Sequence, residues 1–378
     1  MLNQVALYPF DKITRGLIRF RDLLQVEIRS VIDFTCDHTE DIGSRLGGET
    51  TGIPMTNDIE KGLQQVDILI VNDLGNNPFA DPAHNLAEKW RTLVKCAYEK
   101  GITIISLHEI VEPGTKQWLR AHEISLQFDD QLDHELLADM DMHPLRGKTE
   151  LERYFRHLEA DHTGYTSSPS SLRVGIFATR GCLGKFTTQM SLFRQLKKRG
   201  RSATSIITEP TAFLFQQPSA DIFKFLATQT IDQYPYYIQT VAKKAEQAGS
   251  PYILLAGQGA LLPHHDFLIT SNQVAYLKAF DPDAILLVVE YEDDQKIRDS
   301  LDFLRIYGYE KPIQLLLPDR METGLSEIVF KTPAEMAQRK QQLESQFDIP
   351  VVYIKQPDQI ADRLEQLREQ KEHAAVML

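Results

Sequence analysis

Short apolar runs rich in β-branched residues alternate with stretches of helical periodicity along the chain. In the first third, runs at residues 26–33, 66–72 and 102–107 predict strands, and residues 83–100 predict a helix between the last two. Such alternation is typical of a parallel sheet covered by helices. The N-terminal part is therefore predicted to be an open α/β domain.

The same alternation starts again after a break in the middle of the chain. Residues 137–162 are acidic with helical periodicity, and residues 163–171 form a Ser, Gly and Pro cluster that is typical of an interdomain linker. Beyond the cluster, strands are predicted at residues 172–178, 203–208, 252–256, 284–289, 313–317 and 351–354. A helix is predicted at residues 185–199, and two charged helices flank the last strand.

These patterns predict an organisation in three parts. The first domain covers residues 1–135, a helical segment with the linker covers residues 136–171, and a second open α/β domain covers residues 172–378. A length of 378 residues agrees, because a single hydrophobic core stops growing well below that size.

Charge and composition limit the partners and the compartment. The chain has 41 basic and 53 acidic residues, a net charge of −12, and its basic residues are scattered, so we expect no nucleic-acid surface. The apolar runs are too short to cross a bilayer, and the first residues lack a signal-peptide core. Three widely spaced cysteines suggest neither a metal site nor a disulfide framework. We expect a cytoplasmic protein, without membrane contact, that acts on a small molecule and forms a homo-oligomer.

A glycine-bearing turn at residues 178–184 joins a buried strand to the helix predicted at 185–199. Unpaired backbone N–H groups and the positive end of the helix dipole converge at such a turn and stabilise an anion. Lys185 adds a positive charge, and the glycines permit close approach of a phosphate. The residues predicted to bind the phosphates of a nucleotide or of coenzyme A are Arg180, Gly181, Cys182, Gly184, Lys185, Phe186, Thr187 and Thr188.

The turn departs from the standard phosphate loop in two ways. The glycine at its start is missing, and Phe186 stands where a magnesium-binding Ser or Thr normally follows the lysine. Thr187 is the nearest candidate metal ligand, about 100° further round the helix. The structural alternative is an ordinary strand-to-helix turn that has glycines for packing and Lys185 in solvent.

Three segments resemble, in the same order, signatures of bacterial D-glutamate N-acetyltransferase-like proteins, long catalogued as a domain of unknown function. They are the loop Gly-Cys-Leu-Gly-Lys-Phe-Thr-Thr at residues 181–188, Thr-Glu-Pro-Thr-Ala-Phe-Leu at 208–214, and Ala-Gly-Gln-Gly-Ala-Leu-Leu-Pro-His at 256–264. In the N-terminal half, residues 11–19, 31–33 and 106–109 also look like family landmarks.

The resemblance implies a Rossmann-like N-terminal domain and a C-terminal P-loop domain related to dethiobiotin synthetase. It also implies acyl transfer from acetyl coenzyme A to an amino acid. The chain departs from the family at the third signature, where Ala256 replaces a glutamate and Ala260 a serine. At the second signature the family's Thr-Gly-Gln-Thr-Gly has become Thr-Glu-Pro-Thr-Ala at residues 208–212. Both changes leave the substrate and the reaction open.

Other polar residues follow the predicted strands of the second domain, at the edge where open α/β sheets bind ligands. Gln258 is a candidate phosphate or amide ligand, and Glu209 and Thr211 are candidate substrate contacts. His264 is a candidate proton acceptor for an ammonium group, although a surface histidine is the commoner situation. Asp221 resembles the family's internal acid, with roles in holding magnesium or orienting an amine, or simply as a helix N-cap.

The N-terminal domain offers fewer candidates. Lys12 and Thr14 are candidates for binding a carboxylate or phosphate, and His108 ends a predicted strand. Asp33 ends a strand as a ribose-binding acid would, but no Gly-x-Gly-x-x-Gly precedes it. An NAD dehydrogenase is therefore disfavoured.

Three functions remain open on this basis. An N-acyltransferase would hold the phosphates of acetyl coenzyme A in the loop. An ATP-dependent kinase or amide ligase of the dethiobiotin synthetase kind would hold ATP with Mg²⁺ at Thr187 or Asp221. A non-catalytic protein that responds to nucleotide would bind a phosphorylated ligand without turnover.

Overall fold

The chain folds as two compact units in the computed structural model. The first comprises Met1–Gln131 with Pro210–Gln216, and the second comprises Leu132–Glu209 with Gln217–Leu378. The structure describes residues 3–46, 50–72, 86–110, 112–128, 168, 170–222, 225, 234–262, 271–309, 313–323 and 327–376. The predicted acidic segment 137–162, most of the predicted linker, and His264 lie outside these ranges.

In the first unit, the described strands form a single sheet. They are β1 (Gln4–Tyr8), β2 (Glu27–Ile32), β3 (Glu40–Asp41), β4 (Pro54–Thr56), β5 (Ile68–Val71), β6 (Thr103–Ser106) and β7 (Gln127–Phe128). Their spatial order is β3-β4-β2-β1-β5-β6-β7, and every pair is parallel except β3 with β4. Without the short β3, this is the strand order of a doubly wound Rossmann sheet.

Helices of the first unit connect these strands. They are α1 (Lys12–Arg19), α2 (Gly43–Leu46), α3 (Ile59–Gly62), α4 (Leu86–Glu99) and α5 (Pro113–Ala121). The amphipathic α4 buries Trp90, Leu93 and Val94 in a core that includes Leu69 of β5 and Ala6 of β1. Burial of one apolar stripe is what holds a crossover helix on its sheet.

The main sheet of the second unit is wholly parallel. Its strands are β8 (Leu172–Ala178), β9 (Thr204–Ile206), β10 (Tyr252–Ala256), β11 (Ala284–Val288), β12 (Ile313–Leu317) and β15 (Val351–Tyr353), in the order β15-β12-β11-β8-β10-β9. β8, β10 and β11 are buried along their whole length. This explains why β10 and β11 consist of apolar residues throughout, and why β8 is apolar apart from Arg173 and Gly175, as is typical of parallel strands covered on both faces.

Helices and a hairpin complete the described part of the second unit. The helices are α6 (Lys185–Lys198), α7 (Tyr234–Gln247), α8 (Ser271–Phe280), α9 (Asp294–Ile306), α10 (Pro333–Phe347) and α11 (Pro357–Val376). The hairpin is formed by β13 (Arg320–Thr323) and β14 (Glu327–Phe330). A capping box at Thr332 and Glu335 fixes the start of α10.

The prediction of two open α/β sheets is confirmed. The predicted strands at residues 172–178, 252–256 and 313–317 have the observed bounds, and the helix at 185–199 ends one residue earlier. The strand segments that the pattern did not indicate are β1, the short β3, β4 and β7, and the β13–β14 hairpin.

Candidate functional site

The carboxyl edge of the second sheet changes direction at β8. The chain runs from β8 outward to β9, returns to β10 beside β8, and then crosses to β11 on the other side. Open α/β sheets bind ligands at such a switch point, outside the carboxyl ends of the strands. The segment after β8 is the predicted phosphate loop, which is flanked by the segments that follow β10 and β11.

The backbone of the loop has the geometry of an anion cradle. Gly184 is the N-cap of α6 and has φ 105° and ψ 23°, and no side chain caps the helix there. Cys182 also lies in the left-handed region, with φ 60°. Across the part of the chain that the structure describes, the backbone N–H groups of Gly181, Cys182, Leu183 and Gly184 donate no hydrogen bond. Donors at a helix N-terminus that the protein itself does not satisfy are the usual ligands of phosphate.

The space over the loop is open at its glycines. A methyl group built on Gly181 meets no atom within 4 Å, and one built on Gly184 meets only Ile354 Cδ1, at 3.7 Å. Cys182 is an exposed free thiol at the tip of the loop. No side chain of the described residues therefore fills the position over Gly181, where a phosphate would approach.

Lys185 lies across the crevice between β8 and β10. Its Nζ donates a hydrogen bond to the carbonyl oxygen of Gly259, at 2.5 Å, in the segment after β10. That segment is held beside the loop because Leu261 N donates to the Ala178 carbonyl oxygen at 2.7 Å. The Lys185 ammonium is therefore directed toward the segment after β10, in a position that remains open to solvent.

A carboxylate that the sequence reasoning missed lies on the other side of the loop. Glu290 follows β11, and its carboxylate accepts a hydrogen bond from Arg180 Nη1 at 2.8 Å. The Glu290 backbone N–H donates to Thr179 Oγ1 at 2.9 Å, and Thr179 N donates to the Val288 carbonyl oxygen at 3.0 Å. Glu290 lies beside the loop because β11 pairs with β8 in the sheet. This pairing cannot be read from the sequence.

The helix behind the loop is fixed to the sheet by a buried amide. Gln189 Nε2 donates to the carbonyl oxygens of Ile206 in β9, at 2.7 Å, and Leu254 in β10, at 3.2 Å. Thr188 lies beneath the loop with 1% of its surface exposed, whereas Phe186 and Thr187 are half-buried. Among the described residues the Thr188 hydroxyl has no hydrogen-bond partner, so a buried polar group beneath the loop is left unsatisfied by the protein.

Three of the predicted site residues influence one tyrosine of α8, Gln258 through a hydrogen bond and Asp221 and Glu209 through their charge. Tyr276 is fully buried, its hydroxyl lies 2.9 Å from that of Tyr234, and it is hydrogen-bonded to the backbone of Gln258. Burial is the main reason that the pKa of Tyr276 lies above its ordinary value, and the negative charges of Asp221 and Glu209 add to the rise. The hydroxyl stays protonated and available for hydrogen bonding at neutral pH.

Asp221, the acid that acts on both tyrosines, is buried. Asp221 is 1% exposed, its N–H donates to Ser219 Oγ at 3.3 Å, and its carbonyl oxygen accepts the N–H of Phe225, as at the start of a helical turn. Burial also raises the pKa of the adjacent Tyr234, and Asp221 contributes to that rise. We name the group Asp221, Glu209, Gln258, Tyr234 and Tyr276 the tyrosine cluster.

The remaining candidates belong to the first unit. Thr211 lies in the segment Pro210–Gln216, which is part of that unit, whereas its predicted partner Glu209 is part of the second. Thr14 is 4% exposed, and its hydroxyl donates to the Pro9 carbonyl oxygen at 2.6 Å. His108 is half-buried after β6 and Lys12 is exposed.

The start of α1 differs from the start of α6 in a way that bears on phosphate binding. Asp11 caps α1, accepting the Thr14 N–H at 2.9 Å, and its other carboxylate oxygen accepts Asn72 Nδ2 at 2.5 Å. Asp33 accepts the Phe10 N–H at 3.2 Å. A carboxylate therefore already occupies the helix N-terminus that binds pyrophosphate in Rossmann sheets, which disfavours a dinucleotide there.

A cavity of ≈ 740 Å³ in the first unit lies at the opposite edge of its sheet. Gln4, Glu27 and Asp67 line it, at the amino ends of β1, β2 and β5. Among the described residues, no group of three or more His, Cys, Asp or Glu side chains is arranged to hold a metal ion. None of the described helices combines the length and the apolar character needed to cross a membrane.

The strand order and the turn before α6, whose backbone N–H groups no side chain caps, define the second unit as a P-loop α/β domain. Residues 162–361 match the P-loop domain of DUF1611, a domain of unknown function (DUF1611_C). The chain belongs to the DUF1611 family. This membership confirms the P-loop C-terminal domain that the family resemblance implied.

One solved structure of the same family agrees with this fold. A DUF1611 family protein from Anabaena variabilis is similar over 96% of this chain and 99% of its own, with 15% identity and a TM-score of 0.63. A nucleotide-binding protein in complex with ADP from Archaeoglobus fulgidus matches 53% of this chain and 87% of its own, at 10% identity and a TM-score of 0.30. Chloroplast FtsY from Physcomitrella patens matches 64% of this chain and 75% of its own, at 13% identity and a TM-score of 0.32. Comparison with curated proteins finds no match.

Proposed function

We propose that this protein is an N-acyltransferase that holds the phosphates of acetyl coenzyme A in the loop before α6 and acylates an amino acid or a similar small amine. The observation that carries the proposal is the set of unsatisfied backbone N–H groups at residues 181–184, beside the ammonium group of Lys185. Such donors have a high affinity for phosphate and little for a neutral ligand.

The residue types around the loop favour coenzyme A over hydrolysis of ATP. Hydrolysis of a nucleotide uses a metal ion held by a Ser or Thr after the lysine and by an acid on a neighbouring strand. Here Phe186 follows Lys185 and Ala256 ends β10, while Glu290, the acid after the neighbouring β11, is already paired with Arg180. Acyl transfer needs only that the phosphates be anchored, because its chemistry occurs at the thioester.

The tyrosine cluster supplies groups suited to the second substrate. Glu209 and Asp221 offer negative charge for an ammonium group, while Tyr276 offers a neutral hydroxyl. In the reaction, the neutral amine nitrogen bonds to the thioester carbonyl carbon and the C–S bond breaks; the nitrogen loses one proton and the departing thiolate takes one up, so that an amide and a free thiol are formed. His264, which the sequence predicts as the proton acceptor, would remove the proton from the ammonium form beforehand.

A thermal-shift panel with acetyl coenzyme A, coenzyme A, ATP and ADP, each with and without magnesium, tests the binding step. A ligand that binds only the folded protein raises its melting temperature, and we expect the coenzyme A compounds to do so. Lys185→Ala removes one charged hydrogen bond to phosphate and should weaken binding about 10- to 100-fold. Lys198→Ala, at the exposed far end of the same helix, is the matched control and should leave binding unchanged.

Incubation with acetyl coenzyme A and a set of D- and L-amino acids then tests the reaction. We expect release of free thiol together with an N-acetylated product detectable by mass spectrometry. Magnesium-dependent release of ADP from ATP would instead favour the kinase or ligase alternative. If none of the four ligands shifts the melting temperature, phosphate binding at the loop is refuted.

A further inference from the structure

Arg180 and Glu290 form an ion pair inside the phosphate site. Arg180 is the second residue after β8, and its guanidinium lies 2.8 Å from the carboxylate of Glu290, which follows β11. The side chains are 31% and 18% exposed, so both remain accessible from the crevice. A cation and an anion therefore lie beside the backbone donors at residues 181–184.

The position of Glu290 is set by the fold. Thr179 N donates to the Val288 carbonyl oxygen, and Glu290 N donates to Thr179 Oγ1. These two hydrogen bonds join the start of the loop to the end of β11. A flexible surface carboxylate would move away from an incoming phosphate, but the backbone of Glu290 is tied to the loop.

The same loop lacks the residues that usually provide a metal ion with ligands. Phe186 offers no oxygen after Lys185, and Ala256 offers none at the end of β10. In the standard loop, a magnesium ion neutralises part of the phosphate charge. A site without those ligands needs another cation, and a guanidinium can pair with phosphate oxygens through two parallel hydrogen bonds.

We propose that Arg180 supplies the positive charge that magnesium supplies in the standard phosphate loop, and that Glu290 holds Arg180 until a phosphate displaces it. This inference rests on the proposed binding of a phosphorylated ligand at the loop. It adds that binding is independent of magnesium and that the carboxylate of Glu290 competes with the ligand for Arg180.

The competition between Glu290 and the ligand predicts the direction in which each substitution changes the affinity. When phosphate enters, the guanidinium exchanges a partly exposed carboxylate for a more highly charged partner, and Glu290 is left as an uncompensated negative charge near it. Neutralising Glu290 removes both the competitor and the repulsion. Glu290→Gln should therefore tighten ligand binding, whereas Arg180→Gln should weaken it.

Isothermal titration calorimetry with acetyl coenzyme A, in EDTA and in magnesium chloride, tests the inference on the full chain. We expect the wild-type affinity to agree within about twofold between the two buffers. Glu290→Gln should bind about two- to fivefold more tightly, the range that a partly exposed ion pair permits. Arg180→Gln should bind about 10- to 100-fold more weakly, as for a lost hydrogen bond between charged groups.

A double variant distinguishes direct contact between Arg180 and the ligand from an indirect effect of leaving the Glu290 carboxylate unpaired. If Arg180 binds phosphate directly, Arg180→Gln combined with Glu290→Gln will still bind more weakly than Glu290→Gln alone. Asp302→Asn breaks an exposed ion pair with Arg305 on α9 and is the charge-matched control, which should leave the affinity unchanged. Circular dichroism on each variant establishes that it is folded.

Two results would overturn the inference while leaving the proposed function intact. One is wild-type binding that falls tenfold or more in EDTA, which would assign the charge to a metal ion. The other is a folded Glu290→Gln variant that binds acetyl coenzyme A no more tightly than wild type. A wild-type chain that binds no acetyl coenzyme A in either buffer would instead refute the proposed function itself.

Discussion

Replacing Gly184 by alanine tests whether the loop is a strained, preformed cradle. Gly184 has φ 105°, a region that residues with a Cβ rarely adopt. The new methyl group would lie 3.7 Å from Ile354 Cδ1, an ordinary contact, so no steric collision is added. The cost of the substitution is therefore conformational.

The magnitude follows from two opposing contributions. Holding a non-glycine residue in a sparsely populated backbone conformation costs about 1–3 kcal/mol. Alanine also restricts the unfolded chain, which returns about 0.4–1 kcal/mol. We expect the free energy of unfolding of the second unit to fall by about 1–2 kcal/mol. For a domain of this size, that lowers the melting temperature by about 2–8 °C.

Thermal and urea denaturation followed by circular dichroism measure this change. Gly181→Ala is the informative partner, because its methyl group meets no atom within 4 Å and its φ is not positive. It should leave stability unchanged but place a methyl group over the loop and weaken acetyl coenzyme A binding. Gly200→Ala, with φ 69° and open surroundings just beyond α6, controls for strain away from the site. A folded Gly184→Ala variant with wild-type stability would show that the loop is not held in this conformation.

Further predictions concern stability and access elsewhere in the second unit. Arg173→Leu should destabilise the protein by about 3–5 kcal/mol in urea denaturation, because it leaves the buried Glu246 carboxylate without its partner at 2.8 Å; adding Glu246→Leu should restore most of the loss. Thr332→Ala removes the N-cap of α10 that Glu335 completes, and should lower the free energy of unfolding by about 1 kcal/mol. Cys182, which is exposed, should react with maleimide faster than the buried Cys36, and saturating acetyl coenzyme A should slow it, as measured by peptide mass spectrometry. If saturating acetyl coenzyme A does not slow the labelling of Cys182, the ligand binds elsewhere.

The sequence predicted the central strands better than the outer ones. β8, β10 and β11 are buried along their whole length, so their residues are almost all apolar and their bounds are sharp. β3 and β7 have only two residues each, and so short a segment carries no periodicity. Their pairing is set by neighbouring strands instead.

The candidate site also has a part that the sequence predicts and a part that it does not. The loop at residues 178–184 was predictable because its donors, its glycines and Lys185 are contiguous, and a helix N-terminus has the same geometry wherever it occurs. Tyr276 gave no sequence signal, because it lies on a helix and meets Gln258 only through packing.

The sequence by itself determined the class of fold and the position of the glycine-bearing turn before α6, because both depend on local patterns of burial and backbone conformation. The tertiary structure alone decided which side chains face that turn. Glu290 reaches Arg180 because β11 pairs with β8, across more than one hundred residues of chain, and Gly259 receives Lys185 because β10 pairs on the other side. Strand order is a property of the whole sheet, since it minimises the exposure of every strand at once, and no single segment encodes it.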